Sequence, residues 1–129
     1  MAIKFPKAFN GNLPAGFDGV FEWDYLEFPR NITPMDIDGS VEIKGNFLMF
    51  ETKDTGVEIP KGQFQALSRL VELGNGRITI IFLWGKDIPW VMQVLSKNGL
   101  EPRIPTSRMH LNNCVKLWAE LADRQSYRG

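Results

Sequence analysis

Residues 41–53 read VEIKGNFLMFETK, and this segment determines which fold the chain can form. Apolar residues alternate with other residues on both sides of Gly45-Asn46, a dipeptide that favours tight turns. The pattern predicts a β-hairpin whose second strand runs from about Asn46 to Lys53. The turn-forming residues Asp54-Thr55-Gly56 are expected to end that strand.

Helical and extended patterns follow the hairpin. Apolar residues at helical spacing predict a helix that begins near Lys61 or Gly62 and stops at Gly74-Asn75-Gly76. Residues 77–84 are nearly all apolar or β-branched, which is typical of a strand buried on both faces. Gly85-Lys86-Asp87 is expected to end this strand.

The sequence patterns before the hairpin and after residue 87 are less regular. Phe21–Phe28 fits either a short helix or a strand, after a segment with the glycine and proline content of a loop. Residues 88–105 also stay open, with one short helix or strand around Pro89–Leu95. A last helix is expected after Thr106 or Ser107, since either residue can cap it. Its inward stripe is expected to be Leu111, Cys114, Val115, Trp118 and Leu121.

Together these elements predict a small α/β domain in which a mixed β-sheet with a hairpin is flanked by helices. At 129 residues the chain suits one domain, residues 1–129, with a single hydrophobic core. The 15 basic and 15 acidic residues give a net charge of zero, which argues against coating DNA by phosphate neutralisation alone.

The single cysteine and the absence of long apolar runs bear on location. Cys114 cannot form an internal disulfide, which favours a reducing compartment, and its apolar helical position predicts a buried thiol. No run approaches the roughly 20 apolar residues of a membrane helix, and no signal peptide is evident. We therefore expect a cytoplasmic protein without membrane association.

Charged residues at the two outer ends of the hairpin suggest a functional site. Side chains alternate along a strand, so Asp36 shares a face with Asp38 if that segment is extended, and Glu51 shares one with Lys53. Because the outer ends of a hairpin lie side by side, these groups are expected to converge. Mg²⁺ or Mn²⁺ would find oxygen ligands in Asp38, Glu51 and the backbone carbonyl of Thr52. The ammonium group beyond Glu51 would orient or help deprotonate a water molecule, or steady developing charge.

Asp38, followed by Glu51-Thr52-Lys53 at the end of an apolar strand, resembles the active-site motif of the PD-(D/E)XK nuclease superfamily. The resemblance covers about residues 20–85. It implies a small restriction-endonuclease-like core and divalent-metal-dependent hydrolysis of phosphodiester bonds in duplex or branched DNA, as an endonuclease. Asp38, Glu51 and Lys53 would then be catalytic.

A second segment, Ile59-Pro60-Lys61-Gly62-Gln63, resembles the region after this triplet in virus-type replication-repair nucleases and related junction-resolving enzymes. There a glutamine opens the helix after the hairpin and reaches the active site, which implies a catalytic role for Gln63. Similar small members come largely from phages and from replication or repair systems. The resemblance thus implies such a setting, including the cytoplasm of a phage host.

Three positions depart from the family pattern. The proline of the first motif is not adjacent to Asp38, since Pro34 lies four residues upstream. Asp36 is an extra acid, either a ligand of a second metal ion or a structural residue. The family's N-terminal glutamate has its best candidate in Glu22, although Asp24 or Glu27 would serve equally well.

Other interpretations of the same residues remain open. Glu51 and Lys53 would suit an exposed charge pair on an edge strand, and acids near Pro34 and Gly39 would suit a turn. The tryptophans Trp84 and Trp90 fit core packing or stacking on bases. The alternatives to a nuclease are a catalytically silent relative that binds nucleic acid or a protein partner, and a structural or assembly protein. A homodimer is expected if one copy is too small to span a duplex or junction.

Overall fold

The computed structural model describes residues 25–32 and 34–126. The chain divides into two units, Met1–Asp38 and Gly39–Gly129. The described part of the first unit contains one short 3-10 turn, Pro29–Asn31. Of the segment predicted as a helix or strand, residues 21–24 lie outside the described residues, and residues 25–28 form neither element.

The second unit is an α/β structure built on a mixed sheet of six strands with two flanking helices, counted over the described residues. In chain order its elements are β1 (Gly39–Ile43), β2 (Asn46–Lys53), α1 (Lys61–Leu73), β3 (Ile78–Lys86), β4 (Ile88–Ser96), β5 (Gly99–Leu100), β6 (Ile104–Pro105) and α2 (Arg108–Arg124). The sheet order is β1-β2-β3-β4, and the two short strands β5 and β6 pair with different parts of β4. Only β2 and β3 are parallel among these pairs, because α1 carries the chain from the end of one to the start of the other. This confirms the predicted class of a mixed sheet that contains a hairpin and is flanked by helices.

The hairpin turn lies one residue earlier than predicted. Lys44 (φ 52°) and Gly45 (φ 87°) are its two central residues, and positive φ at both positions is the requirement of a type I′ turn. Asn46 instead begins β2 and is buried. Its side-chain amide donates to the backbone carbonyl of Gln125 just past α2, over 2.8 Å, and to that of Ala122 over 3.1 Å. The asparagine is therefore used to hold the last helix rather than to make the turn.

Two apolar clusters cover the two faces of the sheet. On one face, Leu67 and Val71 of α1 pack with residues of β3 that include Ile80 and Phe82. On the other face, Ile81 and other sheet residues pack against α2, whose contacting residues are Leu111, Cys114, Val115 and Trp118. Successive residues of β3 thus enter opposite clusters, which confirms the prediction of a strand buried on both sides.

Two details of the predicted last helix are wrong. Leu121 is 54% exposed, and its neighbour Ala122, at 4% exposed, is the buried residue at this point of the helix. Cys114 packs on the core but is only half-buried, because its side chain lies beside the exposed ring of His110 at the edge of that cluster. The capping prediction is confirmed, since Ser107 Oγ accepts from the His110 amide at 3.1 Å.

The ambiguous residues 88–105 form strands. β3 continues to Lys86 rather than stopping at Gly85, and a tight turn at Asp87 (φ 66°) leads into β4. The register shifts at Trp84/Gly85, and Gly85 (φ 154°) has no room for a Cβ, which would lie 2.1 Å from the Ile88 carbonyl oxygen. This bulge lets the two long strands pair in spite of Pro89. No helix in the described part of the chain has the length and apolar character needed to cross a membrane.

Candidate active site at the end of the second strand

Glu51 is a buried carboxylate, with 3% of its surface exposed. It lies near the carboxyl end of β2, which pairs with β1 through Gly39↔Phe50 and with β3 through Glu51↔Phe82. The alternative of an exposed charge pair on an edge strand is therefore wrong. A carboxylate taken out of water costs several kcal/mol unless polar groups compensate, so its surroundings need an explanation.

Gln63 supplies one such polar group. Its Nε2 donates a hydrogen bond to Glu51 Oε2 over 3.0 Å. Alternation along β2 places Glu51 on the same face as Met49, which packs into the cluster under α1. Since Gln63 is in the first turn of that helix, the β2-α1-β3 connection brings the two side chains together. The structure thus brings together Glu51 and Gln63, two of the predicted site residues, and their catalytic roles stay predictions.

The oxygen of the same amide has no partner among the residues that the structure describes. Gln63 Oε1 is buried, and it accepts no hydrogen bond within the described residues. A buried acceptor left unsatisfied costs about 1–3 kcal/mol, so such atoms in native proteins call for a specific reason. An amide oxygen next to a carboxylate is a pair of oxygen ligands, which is what a hard cation or a water molecule would bind.

Lys53 follows Glu51 by two residues and lies on the same face of β2. It is half-buried, and its partner across the parallel pairing is Trp84 of β3. Thr52, between them, has an exposed side chain. The pairing of β1 with β2 ends at Gly39↔Phe50, whereas β2 and β3 stay paired to Lys53↔Trp84. The backbone from Glu51 to Lys53 therefore extends past Gly39, the residue at which β1 begins.

The remaining predicted acids belong to the first unit. Asp38 is half-buried and lies in a bend directly before Gly39, and Asp36 is exposed in an irregular segment. Because β1 begins only at Gly39, neither acid belongs to a strand of the sheet, and the shared face of Asp36 and Asp38 stays a prediction. Glu22 and Asp24 lie outside the described residues, and Glu27 is exposed.

The oxygen atoms of Glu51 and Gln63 are chemically suited to binding a hard cation, although they are few. Among residues 25–32 and 34–126, no three histidine, cysteine or acidic side chains lie close enough together to hold a metal ion. Mg²⁺ keeps several water ligands and is commonly bound through only one or two carboxylates. The buried Glu51 carboxylate and the unsatisfied oxygen of Gln63 fit that requirement.

A polar cluster beside Lys53 was not anticipated from the sequence. The Arg103 guanidinium lies over the Trp84 ring, 4.2 Å from its centroid, and its Nη2 is 3.0 Å from Glu58 Oε2. Trp84 Nε1 donates to the Val57 carbonyl at 2.6 Å. No spacing rule links positions 58, 84 and 103, because the segment before α1, strand β3 and the segment between β5 and β6 bring them together. The sequence showed Arg103 only as one of several scattered basic residues.

The two tryptophans differ in role, and the histidine is peripheral. Trp84 is buried, which confirms core packing, whereas Trp90 is 63% exposed. His110 is exposed at the start of α2, where its Nδ1 is 2.8 Å from Thr106 Oγ1. The candidate site therefore consists mainly of Glu51, Gln63 and Lys53.

Comparison of the chain with protein-family models, with curated proteins and with solved structures finds no match.

Proposed function

We propose that this chain is a divalent-metal-dependent nuclease of the PD-(D/E)XK type that hydrolyses phosphodiester bonds in duplex or branched DNA as an endonuclease. The observation that carries the proposal is the Glu51–Gln63 pair. A buried carboxylate is hydrogen-bonded over 3.0 Å by an amide whose own oxygen is buried and accepts no hydrogen bond from residues 25–32 or 34–126. A purely structural role explains this poorly, since an apolar pair would pack there at lower cost.

The ligands that we assign to Mg²⁺ or Mn²⁺ are all oxygens. They are the carboxylates of Glu51 and Asp38, the Thr52 carbonyl and Gln63 Oε1. Asp38 is included on the sequence motif alone. Asp36 and Glu22 remain secondary candidates. When bound, the metal ion would stabilise negative charge on the phosphate and make a water molecule easier to deprotonate.

The side chains of this chain then have separate tasks. The Gln63 amide holds the Glu51 carboxylate in one orientation, so the oxygen ligands are fixed before the substrate arrives. Lys53, on the same face, orients the attacking water and offsets charge that develops on the phosphate oxygens. Water attacks phosphorus, the bond from phosphorus to one ester oxygen breaks, and a proton reaches the departing oxygen. Two copies of the chain would place one site on each strand of a duplex.

A second candidate is a catalytically silent relative that binds nucleic acid or a protein partner. Two observations favour it. The net charge is zero, and the described residues contain no cluster of three typical metal ligands. This candidate keeps the fold and loses the dependence on metal ions.

Cleavage of labelled single-stranded, duplex and junction DNA tests the proposal, with Mg²⁺, Mn²⁺ or EDTA in parallel. The decisive variant is Lys53→Ala, and its matched control is Lys86→Ala, an exposed lysine at the end of β3. We expect metal-dependent cutting that falls at least about 100-fold in Lys53→Ala, as for loss of a group that stabilises transition-state charge, and that is unchanged in the control. If well-folded protein cuts nothing under any condition, the silent binder replaces the nuclease.

A further inference from the structure

A groove lies in the second unit where β3 ends. It has a volume of about 320 Å³, and its lining includes Thr55, Trp84, Trp90, Arg103, Ile104 and Pro105. Trp90 is 63% exposed, whereas Trp84 is 4% exposed and forms part of the core. The groove therefore combines a fixed aromatic floor with a large aromatic side chain that is open to solvent.

The cation in this groove is held in place. Arg103 lies against the Trp84 ring at 4.2 Å, and it is further fixed by Glu58 at 3.0 Å and Gln93 Oε1 at 3.4 Å. A guanidinium has five N–H donors, so these two hydrogen bonds leave others available. Glu58 is 80% exposed, and such an ion pair is weak enough for a phosphate to compete with it.

The groove also adjoins the candidate active site. Across the sheet, Lys53 of β2 pairs with Trp84 of β3, which pairs with Val91 of β4, which pairs with Pro105 of β6. Neighbouring strands lie about 4.8 Å apart. The groove thus begins one strand away from the lysine assigned to phosphate chemistry.

We propose that this groove binds an unpaired nucleobase of the substrate, which stacks on Trp90 while the remaining donors of Arg103 hold an adjacent phosphate or the base edge. The inference rests on the proposed function and deepens it, since it assigns the substrate class: nucleic acid with a single-stranded segment beside the cleaved bond. A flat aromatic ligand suits Trp90, and an anionic backbone suits both Arg103 and Lys53. A proline-rich peptide would also use aromatic residues, but it would not need the fixed cation.

Binding without metal ions separates this inference from catalysis. Fluorescence anisotropy of labelled (dT)20 and (rU)20 is measured in EDTA with the unaltered protein, Trp90→Ala, Trp90→Phe and Leu117→Ala. Leu117 is the matched control, because it is 63% exposed on α2 and away from the groove. We expect Trp90→Ala to bind about 5- to 100-fold more weakly, the cost of one lost base–aromatic stack, and Trp90→Phe to keep most of the affinity. The (dT)20 and (rU)20 arms show whether DNA or RNA is preferred.

Cleavage of a duplex with a single-stranded tail is then compared with cleavage of the same duplex with blunt ends. The groove is supported if Trp90→Ala loses the preference for the tailed substrate. Tail-dependent binding without cutting supports the groove and overturns the nuclease. Cutting that ignores both the tail and Trp90 overturns the groove alone. Equal (dT)20 affinity in all four proteins, or a proline-rich peptide that binds through Trp90 in place of the oligonucleotide, also overturns it.

Discussion

Glu51 and Gln63 show how one contact can be foreseen while its environment is not. The motif places a glutamate at the end of a strand and a glutamine at the start of the next helix, and the structure joins them by a 3.0 Å hydrogen bond. The near-complete burial of Glu51 and the unsatisfied Gln63 oxygen depend on how α1 packs over β2. Spacing along the chain contains no information about that packing.

Substitution of Gln63 should therefore affect stability as well as activity. We expect Gln63→Ala to lower the free energy of unfolding by about 1–3 kcal/mol, because the buried Glu51 carboxylate loses a donor. The matched control is Gln65→Ala in the same helix, whose side chain is exposed and which should change stability by less than about 0.5 kcal/mol. Urea denaturation of both variants measures the difference. Equal stability of the two would show that the hydrogen bond contributes nothing.

At the scale of elements, the sequence predicted what has a local cause. The start of α1 and the second hairpin strand follow from apolar spacing, the start of α2 follows from its cap Ser107, and the structure agrees. The turn lies at Lys44-Gly45, one residue earlier than predicted, although Gly45-Asn46 fits the local turn rule better. Only the buried bonds from Asn46 to the end of α2 decide between them. Residues 88–105 stayed open between a helix and a strand because prolines interrupt the strand pattern there, and the structure forms β4, β5 and β6 in this segment.

The hairpin turn gives a direct test at this scale. Gly45 has φ 87°, a left-handed conformation that costs other residues about 1–2 kcal/mol, so Gly45→Ala should destabilise the protein by that amount. Gly62→Ala is the matched control. Position 62 is in the first turn of α1 with no atom within 4 Å of an added Cβ, and we expect a gain of about 0.5–1 kcal/mol. Thermal melts followed by circular dichroism compare the two. A stabilising effect of Gly45→Ala would contradict the type I′ turn.

On the scale of the whole molecule, charge constrains how any nucleic acid can be bound. Equal numbers of acidic and basic residues leave no general attraction for phosphates. Affinity must then come from a few placed cations, such as Lys53 and Arg103, and from stacking. Composition could predict this balance, but it could not predict that Arg103 lies over Trp84, the strand partner of Lys53.

The salt dependence of the binding affinity measures how many of those cations contact phosphates. Each phosphate neutralised on a single strand contributes about −0.7 to the slope of log K against log salt concentration. With two cations engaged we expect a slope of about −1.4 for (dT)20, obtained from anisotropy titrations between 50 and 300 mM salt, concentrations of the order used for such slopes. A slope steeper than about −4 would mean that a broad basic surface is engaged instead, and it would contradict the localised contacts.

The contacts between the hairpin and the last helix affect how the chain folds during its synthesis. Asn46 and Gln125 are 79 positions apart in the sequence, and so are Lys44 and Asp123, which form a 3.0 Å ion pair. A contact of such high sequence separation cannot form until both segments are available, and it slows the steps that depend on it. On the ribosome, β1 and β2 emerge long before α2 does. Leu48 and Ile81, which α2 helps to cover, therefore stay without that cover in the nascent chain until α2 has been synthesised and has left the ribosome.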